Sequence, residues 1–205
     1  MKPANIGIVG LGTVGSGVIN LLHRNAKEIS RRAGRNIVVT NVVVRDVNLH
    51  RNCPTHLLTL TNDPHDITDN PDIDIVIELI GGVEVAKDVI YRSLENGKHV
   101  VTANKALIAE HGNEIFSLAL EKGLTVAFEA AVGGGVSVIK VLREGLSGNV
   151  ITRVVGIING TSNYILSDMS ENGVGFLDSL KDALRLGYAE ADSTFDIEGI
   201  DAAHK

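Results

Sequence analysis

IGIVGLGTVG, residues 6–15, decides the fold. The apolar run at 6–9 ends in glycines and reads as a short buried strand. Gly10, Gly12 and Gly15 then give the G-x-G-x-x-G spacing, placed after a strand and opening a helix. The first glycine permits a tight turn. The second lets a pyrophosphate approach the backbone, and the third lets helix and strand pack closely. The first-turn N–H groups of the helix and its dipole favour an anion at the same point. Gly10, Leu11, Gly12, Thr13, Val14 and Gly15 therefore form a candidate phosphate cradle. A glycine triplet by itself is equally an ordinary turn. The strand before it, and the pattern after it, favour a dinucleotide.

Downstream the chain alternates. Residues 13–32 have helical spacing, with Val14, Val18, Leu21, Leu22 and Ile29 broadly on one side. Strands are predicted at 37–44, 73–80, 99–102 and 124–132, and helices at 85–96 and 112–122. Strands alternating with helices specify βα units and a mostly parallel sheet. The pattern changes at the glycines 133–135. After them a helix to about Ser147, a strand at 153–159 and helices at 162–171 and 176–186 are expected. This places a domain boundary near 133, with no flexible linker, and divides the chain into 1–132 and 133–205.

Composition excludes several classes. A net charge of −6 argues against a nonspecific nucleic-acid binder, and 3% aromatics against base stacking. The single cysteine, Cys53, has no internal disulfide partner and suits a reducing cytoplasm. The start goes straight into a strand-like run without the features of a signal peptide. No apolar segment has the length of a membrane span, so no membrane partner is expected.

Three further places carry chemistry. Arg45 then Asp46 follow the second strand. An arginine there suits a 2′-phosphate, hence NADP, and an acid suits the ribose hydroxyls of NAD. Arg45 comes first, which favours NADP, with Asp46 leaving NAD open. Glu78, Gly81 and Gly82 lie at the carboxyl end of one strand, and Thr102 to Lys105 at that of the next. Ligands of open α/β sheets bind at such ends. Finally, 187–205 gathers Glu190, Asp192, Asp196, Glu198 and Asp201 ahead of Lys205. Asp201 and Lys205 stand i, i+4, on one face if 199–205 is helical. The plain alternative is a surface ion pair worth little. A partly buried lysine among acids can instead move protons. Asp196 would bind ligand or orient Lys205.

The ordered set GIVGLGTVG (7–15), ELIGG (78–82), VVTANKALIA (100–109), FEAAVGGG (128–135), GIINGTSNYIL (156–166), GYAEAD (187–192) and DIEGIDAAHK (196–205) resembles the N-terminal part of homoserine dehydrogenase. The resemblance covers essentially the whole chain. It implies an α/β fold, a Rossmann-like nucleotide-binding domain followed by part of an α+β substrate and dimerisation domain. It implies reversible oxidation of L-homoserine to L-aspartate 4-semialdehyde with NAD(P), in the pathway to threonine, methionine and isoleucine, by a homodimeric cytoplasmic enzyme. Lys205 matches the family's proton-transferring lysine, and Lys105 a lysine at the nicotinamide and substrate. Glu190 and Asp201 match substrate-binding acids, and Gly187 a backbone contact to cofactor. Glu129, Val132, Gly134 and Val136 match a sodium site of mostly backbone oxygens.

Two positions depart from the family pattern. Ser137 stands where the family usually has proline, and so does Ser193. Proline pre-sets the backbone, so both loops are expected to be looser here. Family members also continue past the lysine, so the chain is expected to be a fragment. A nucleotide-binding fragment without turnover is the alternative reading.

Overall fold

β1 (Ala4–Val9) buries Ile6, Ile8 and Val9 because helices cover both of its faces. Successive side chains of a strand point to opposite sides. Ile8 accordingly packs in one apolar layer with Ile19, Val42 and Ile77. Val9, the next residue, packs in another with Ile67, Val43, Val76 and Val89. The computed structural model describes residues 1–189 and 193–205. It divides into two units, Met1–Ile139 and Lys140–Lys205.

In the first unit β1 is joined by β2 (Ile37–Val43), β3 (Thr59–Thr61), β4 (Ile75–Glu78), β5 (His99–Thr102) and β6 (Val126–Ala127). The six form one sheet in the order β3-β2-β1-β4-β5-β6, and every pair is parallel. The chain builds outward from β1 to β3, then returns to the other side of β1 to lay down β4. That reversal opens a crevice at the carboxyl ends of β1 and β4, where doubly wound sheets bind their ligands. Parallel strands need crossovers, and helices supply most of them. They are α1 (Thr13–Arg24), α2 (Ala26–Ala33), α3 (His65–Thr68), α4 (Glu84–Glu95) and α5 (Lys105–Glu121). Ile90 and Leu94 of α4 and Leu107 and Ile115 of α5 close over Val100 and Val126.

Several expectations are revised. The helix expected over 13–32 breaks at Asn25 into α1 and α2. Val14 and Leu21, expected on the apolar side, are 58% and 48% exposed. Gly15, Val18, Ile19 and Leu22 face the sheet instead, at the i, i+3, i+4, i+7 spacing of a helix face. The strand expected at 124–132 lasts only for β6. The alanine-rich stretch after it forms α6 (Glu129–Val132), alanine being the strongest helix former. The helix expected at 112–122 begins earlier, at Lys105.

Along the chain α7 (Val138–Lys140) leads into a wide turn, Val141–Gly145. The second unit contains α8 (Gly160–Asn172), α9 (Phe176–Leu186), α10 (Thr194–Ile197) and α11 (Ile200–His204). Its small core packs Ile165 of α8 against Ala183 of α9 and Ala189. Tyr164 and Tyr188 stack beside it with centroids 4.6 Å apart. Residues 153–159, expected as a strand, form none. A strand is held by its neighbour's backbone hydrogen bonds, and among the described residues of this unit no strand lies alongside.

Candidate functional site

Gly10 turns the chain off β1 with φ 105°, a conformation that glycine alone adopts at no cost. A Cβ there would lie 2.7 Å from the Leu79 carbonyl oxygen. Gly12 caps α1 through its backbone and has nothing within 4 Å of where a Cβ would stand. At Gly15 a Cβ would come within 2.3 Å of the Gly10 carbonyl oxygen. The three glycines thus perform separate tasks: turn, clearance and helix-to-loop contact. The first turn of α1 contains no acid, so its N–H groups and dipole stay available to an anion.

The loop borders a cleft of about 570 Å³, walled by Gly10, Leu11 and Gly12, by Leu79, Ile80 and Gly81 after β4, and by Arg45 and Arg51 beyond β2. The two residues that left the cofactor open now differ. Asp46 accepts the Asn48 N–H (2.9 Å), which closes its own turn. Arg51 donates to the carbonyls of Leu49 and Asp46, at 2.7 Å each, and clamps the same turn from the cleft wall. Arg45 is exposed at the rim.

Glu78 ends β4 fully buried. Its carboxylate accepts the Ile80 N–H (2.8 Å) and the Thr102 hydroxyl (2.5 Å). Burial pushes the Glu78 carboxyl up, and hydrogen bonds from Thr102, Ile80 and Asn104 pull it partly back. The Thr102 hydroxyl in turn accepts the Asn104 N–H (3.0 Å). Asn104 caps α5 by accepting from the Leu107 N–H (3.1 Å), while its amide donates to the Gly82 carbonyl (2.6 Å). Lys105, half-buried, is therefore the first residue of a long helix. A cation there opposes the helix dipole, so helix stability does not explain the lysine.

Glu129 opens α6, and one of its carboxylate oxygens accepts the Ile139 N–H (2.8 Å). Val132, Gly134 and Val136 follow within the same turn and loop. Among the described residues no group of three or more histidines, cysteines and acids gathers to hold a metal. A cation at 129–136 would rest on the glutamate and main-chain carbonyls, the oxygen donors that hard cations take.

In the second unit the centre is Asn159, which the sequence reading did not single out. It is 8% exposed and caps α8 by accepting the Ser162 N–H (2.7 Å). Its amide donates to Asp196 (2.7 Å) and to Asp201 (2.8 Å). Lys205 completes the group, with Nζ 3.0 Å from the Asp201 carboxylate and 2.6 Å from the Ile158 carbonyl. The side chains of Lys205 and Asp201 are 22% and 18% exposed, unlike the open surface pairs elsewhere in this unit. Asp196, Asp201 and Lys205 are thus brought together. Gly187 ends α9 at φ 79°. Glu190 lies outside the described residues. The signal for Asn159 was legible as asparagine three residues before Ser162, a helix-start pattern. Asn159→Ala removes the cap and leaves two carboxylates without their shared donor. We expect about 1–3 kcal/mol of lost stability in the second unit, read by denaturant unfolding.

The NAD-binding domain of homoserine dehydrogenase, as a family model, matches residues 10–129. The homoserine dehydrogenase model matches residues 138–205. The chain belongs to the homoserine dehydrogenase family. It is 60% identical to a homoserine dehydrogenase of Pseudomonas aeruginosa over its whole length, covering 47% of that protein. It is 43% identical to that of Bacillus subtilis, again covering 47% of the relative. The chain therefore spans about half the length of the curated relatives it matches. Among solved structures, a homoserine dehydrogenase from Thiobacillus denitrificans superposes with TM-score 0.90 at 58% identity, with 100% of this chain and 47% of that one covered. A hyperthermophilic archaeal homoserine dehydrogenase in complex with NADPH gives 0.79 at 26% identity, covering 100% of this chain and 67% of that one.

Proposed function

We propose that this chain binds NADP(H) on its first unit and that, in a protein of its relatives' full length, its residues catalyse the reversible oxidation of L-homoserine to L-aspartate 4-semialdehyde. The half-buried Lys205–Asp201 pair hung from Asn159 is the observation that carries the reading. The cofactor, when bound, supplies the hydride acceptor. The chain's own residues must hold the substrate and move one proton. In the oxidative direction Lys205 takes the hydroxyl proton as the neutral amine, and in reduction it returns one as the ammonium. Asp201 and the Ile158 carbonyl fix its Nζ. Lys105 helps polarise the reacting oxygen. Asp201, Asp196 and Glu190 hold the amino acid, and Gly187 meets the cofactor through its backbone. Glu129, Val132, Gly134 and Val136 would bind sodium and fix the loop that follows α6. The enzyme would act in the cytoplasm as a homodimer, supplying threonine, methionine and isoleucine synthesis.

The test is L-homoserine-dependent reduction of NADP, followed at the nicotinamide absorbance, by the 205-residue chain and by the same residues in a full-length protein. Absence of turnover in the full-length protein sinks the assignment. Binding without turnover in the shorter chain alone would mean that chemistry needs residues beyond it.

NADP is favoured over NAD because the rim presents Arg45 while the neighbouring Asp46 carboxylate is used within its own turn. Arg45→Ala should weaken NADP binding about tenfold or more, the loss of one charge-assisted contact, and barely change NAD binding. Equal effects on the two cofactors, measured by fluorescence titration, would leave Arg45 without a role in that choice.

A further inference from the structure

Resting on the dinucleotide reading, we infer that Glu78 biases the cleft toward the oxidised cofactor, by placing a buried negative charge beneath the half of the sheet that takes the nicotinamide. The position follows from topology. The ribose-reading site of a doubly wound sheet is at the end of β2, here Arg45 and Asp46, so the adenosine half lies over β1, β2 and β3. The pyrophosphate falls at the glycine loop between β1 and α1. The other half of the dinucleotide is left for β4, β5 and β6. Glu78 ends β4, and the three residues after it form cleft wall.

The chemistry around the carboxylate is specific. Both of its oxygens are held by donors, the Ile80 N–H and the Thr102 hydroxyl, which is how an acceptor-only carboxylate is kept. Both donors are neutral, one on the loop after β4 and one on β5. A buried charge held only by dipoles is costly, and a glutamine would retain the bond to Ile80 without that cost. The charge gains a partner when a cation arrives with the ligand. The oxidised nicotinamide ring carries one positive charge, and the reduced ring is neutral. Hydride loss from the reduced ring therefore creates the charge that Glu78 attracts, which makes the bound reduced cofactor a better hydride donor.

The experiment is equilibrium titration of wild-type chain and Glu78→Gln with NADP+ and with NADPH, at alkaline pH where the carboxyl is ionised. The expected result is a rise of about tenfold in the ratio of the NADP+ to the NADPH dissociation constant, the loss of one screened attraction between unit charges. Equal weakening of both forms would show a purely structural role and overturn the inference. If wild-type chain binds neither form, the dinucleotide reading itself fails, which is a separate outcome. Should Glu78→Gln not fold, wild-type calorimetry in two buffers decides, at successive pH values down to mildly acidic. NADP+ binding should release more protons than NADPH binding as Glu78 is driven to ionise. Equal release overturns the inference.

Discussion

In a full-length protein, Lys205→Ala should lower kcat for homoserine oxidation by roughly 100- to 10,000-fold, the usual contribution of a positioned acid or base. Its dissociation constant for NADP should stay within about twofold, since the role proposed for Lys205 is proton transfer with the substrate and not a contact to the cofactor. Two contacts define what is lost. Lys205 Nζ is held by Asp201 at 3.0 Å and by the Ile158 carbonyl at 2.6 Å. Alanine removes both, and leaves Asp201 with the Asn159 amide. Lys205→Arg separates charge from proton transfer. A guanidinium can still pair with Asp201, but it does not give up its proton in a protein. An arginine variant as slow as the alanine variant assigns proton transfer to Lys205. An arginine variant with near wild-type kcat would reduce Lys205 to a charged anchor. Both readouts need steady-state rates alongside direct cofactor titration, so that binding and chemistry are not confused.

The second large effect is expected at Gly15. Its added Cβ would lie 2.3 Å from the Gly10 carbonyl oxygen, a backbone atom that cannot swing aside like a side chain. Gly15→Ala must push α1 away from the loop or distort the loop itself. Overpacking of this kind costs about 1–3 kcal/mol. The displaced first turn of α1 would also lose its aim at the pyrophosphate, and we expect NADP affinity to fall on the order of a hundredfold. Gly12→Ala is the informative companion. A Cβ there meets nothing within 4 Å, so stability should hardly change while binding falls, because the methyl enters the space the ligand needs. Denaturant unfolding and cofactor titration on both variants separate the two tasks. Equal loss of stability at both positions would refute the division of labour.

Much of the nucleotide half is legible in the order of its residues. An apolar run, three glycines at fixed spacing and repeated βα alternation are local patterns, and local backbone preference sets them. The errors fall where local preference was outvoted or where a partner decides. The alanines after Glu129 took the helix over the strand that the run from Leu124 suggested. Val14 looked like core and is 58% exposed, because the face of α1 is set by where Gly15 touches the loop. Residues 153–159 have a strand's composition but no strand beside them among the described residues of their unit.

The site divides in the same way. The sequence by itself determined the glycine loop between β1 and α1, the position of Lys105 and Glu78 at strand ends, and the pairing of Asp201 with Lys205 at helical spacing. It determined these because each depends on neighbours a few residues away. Only the tertiary structure decided that Asn159 would gather Asp196 and Asp201, residues 37 and 42 positions along the chain. Only it decided that Glu78 would be buried to the last atom under Thr102, 24 positions away. Hydrogen bonds between distant residues, and the burial that gives a carboxylate its altered proton affinity, exist once the sheet and helices have closed. No window of sequence contains both partners.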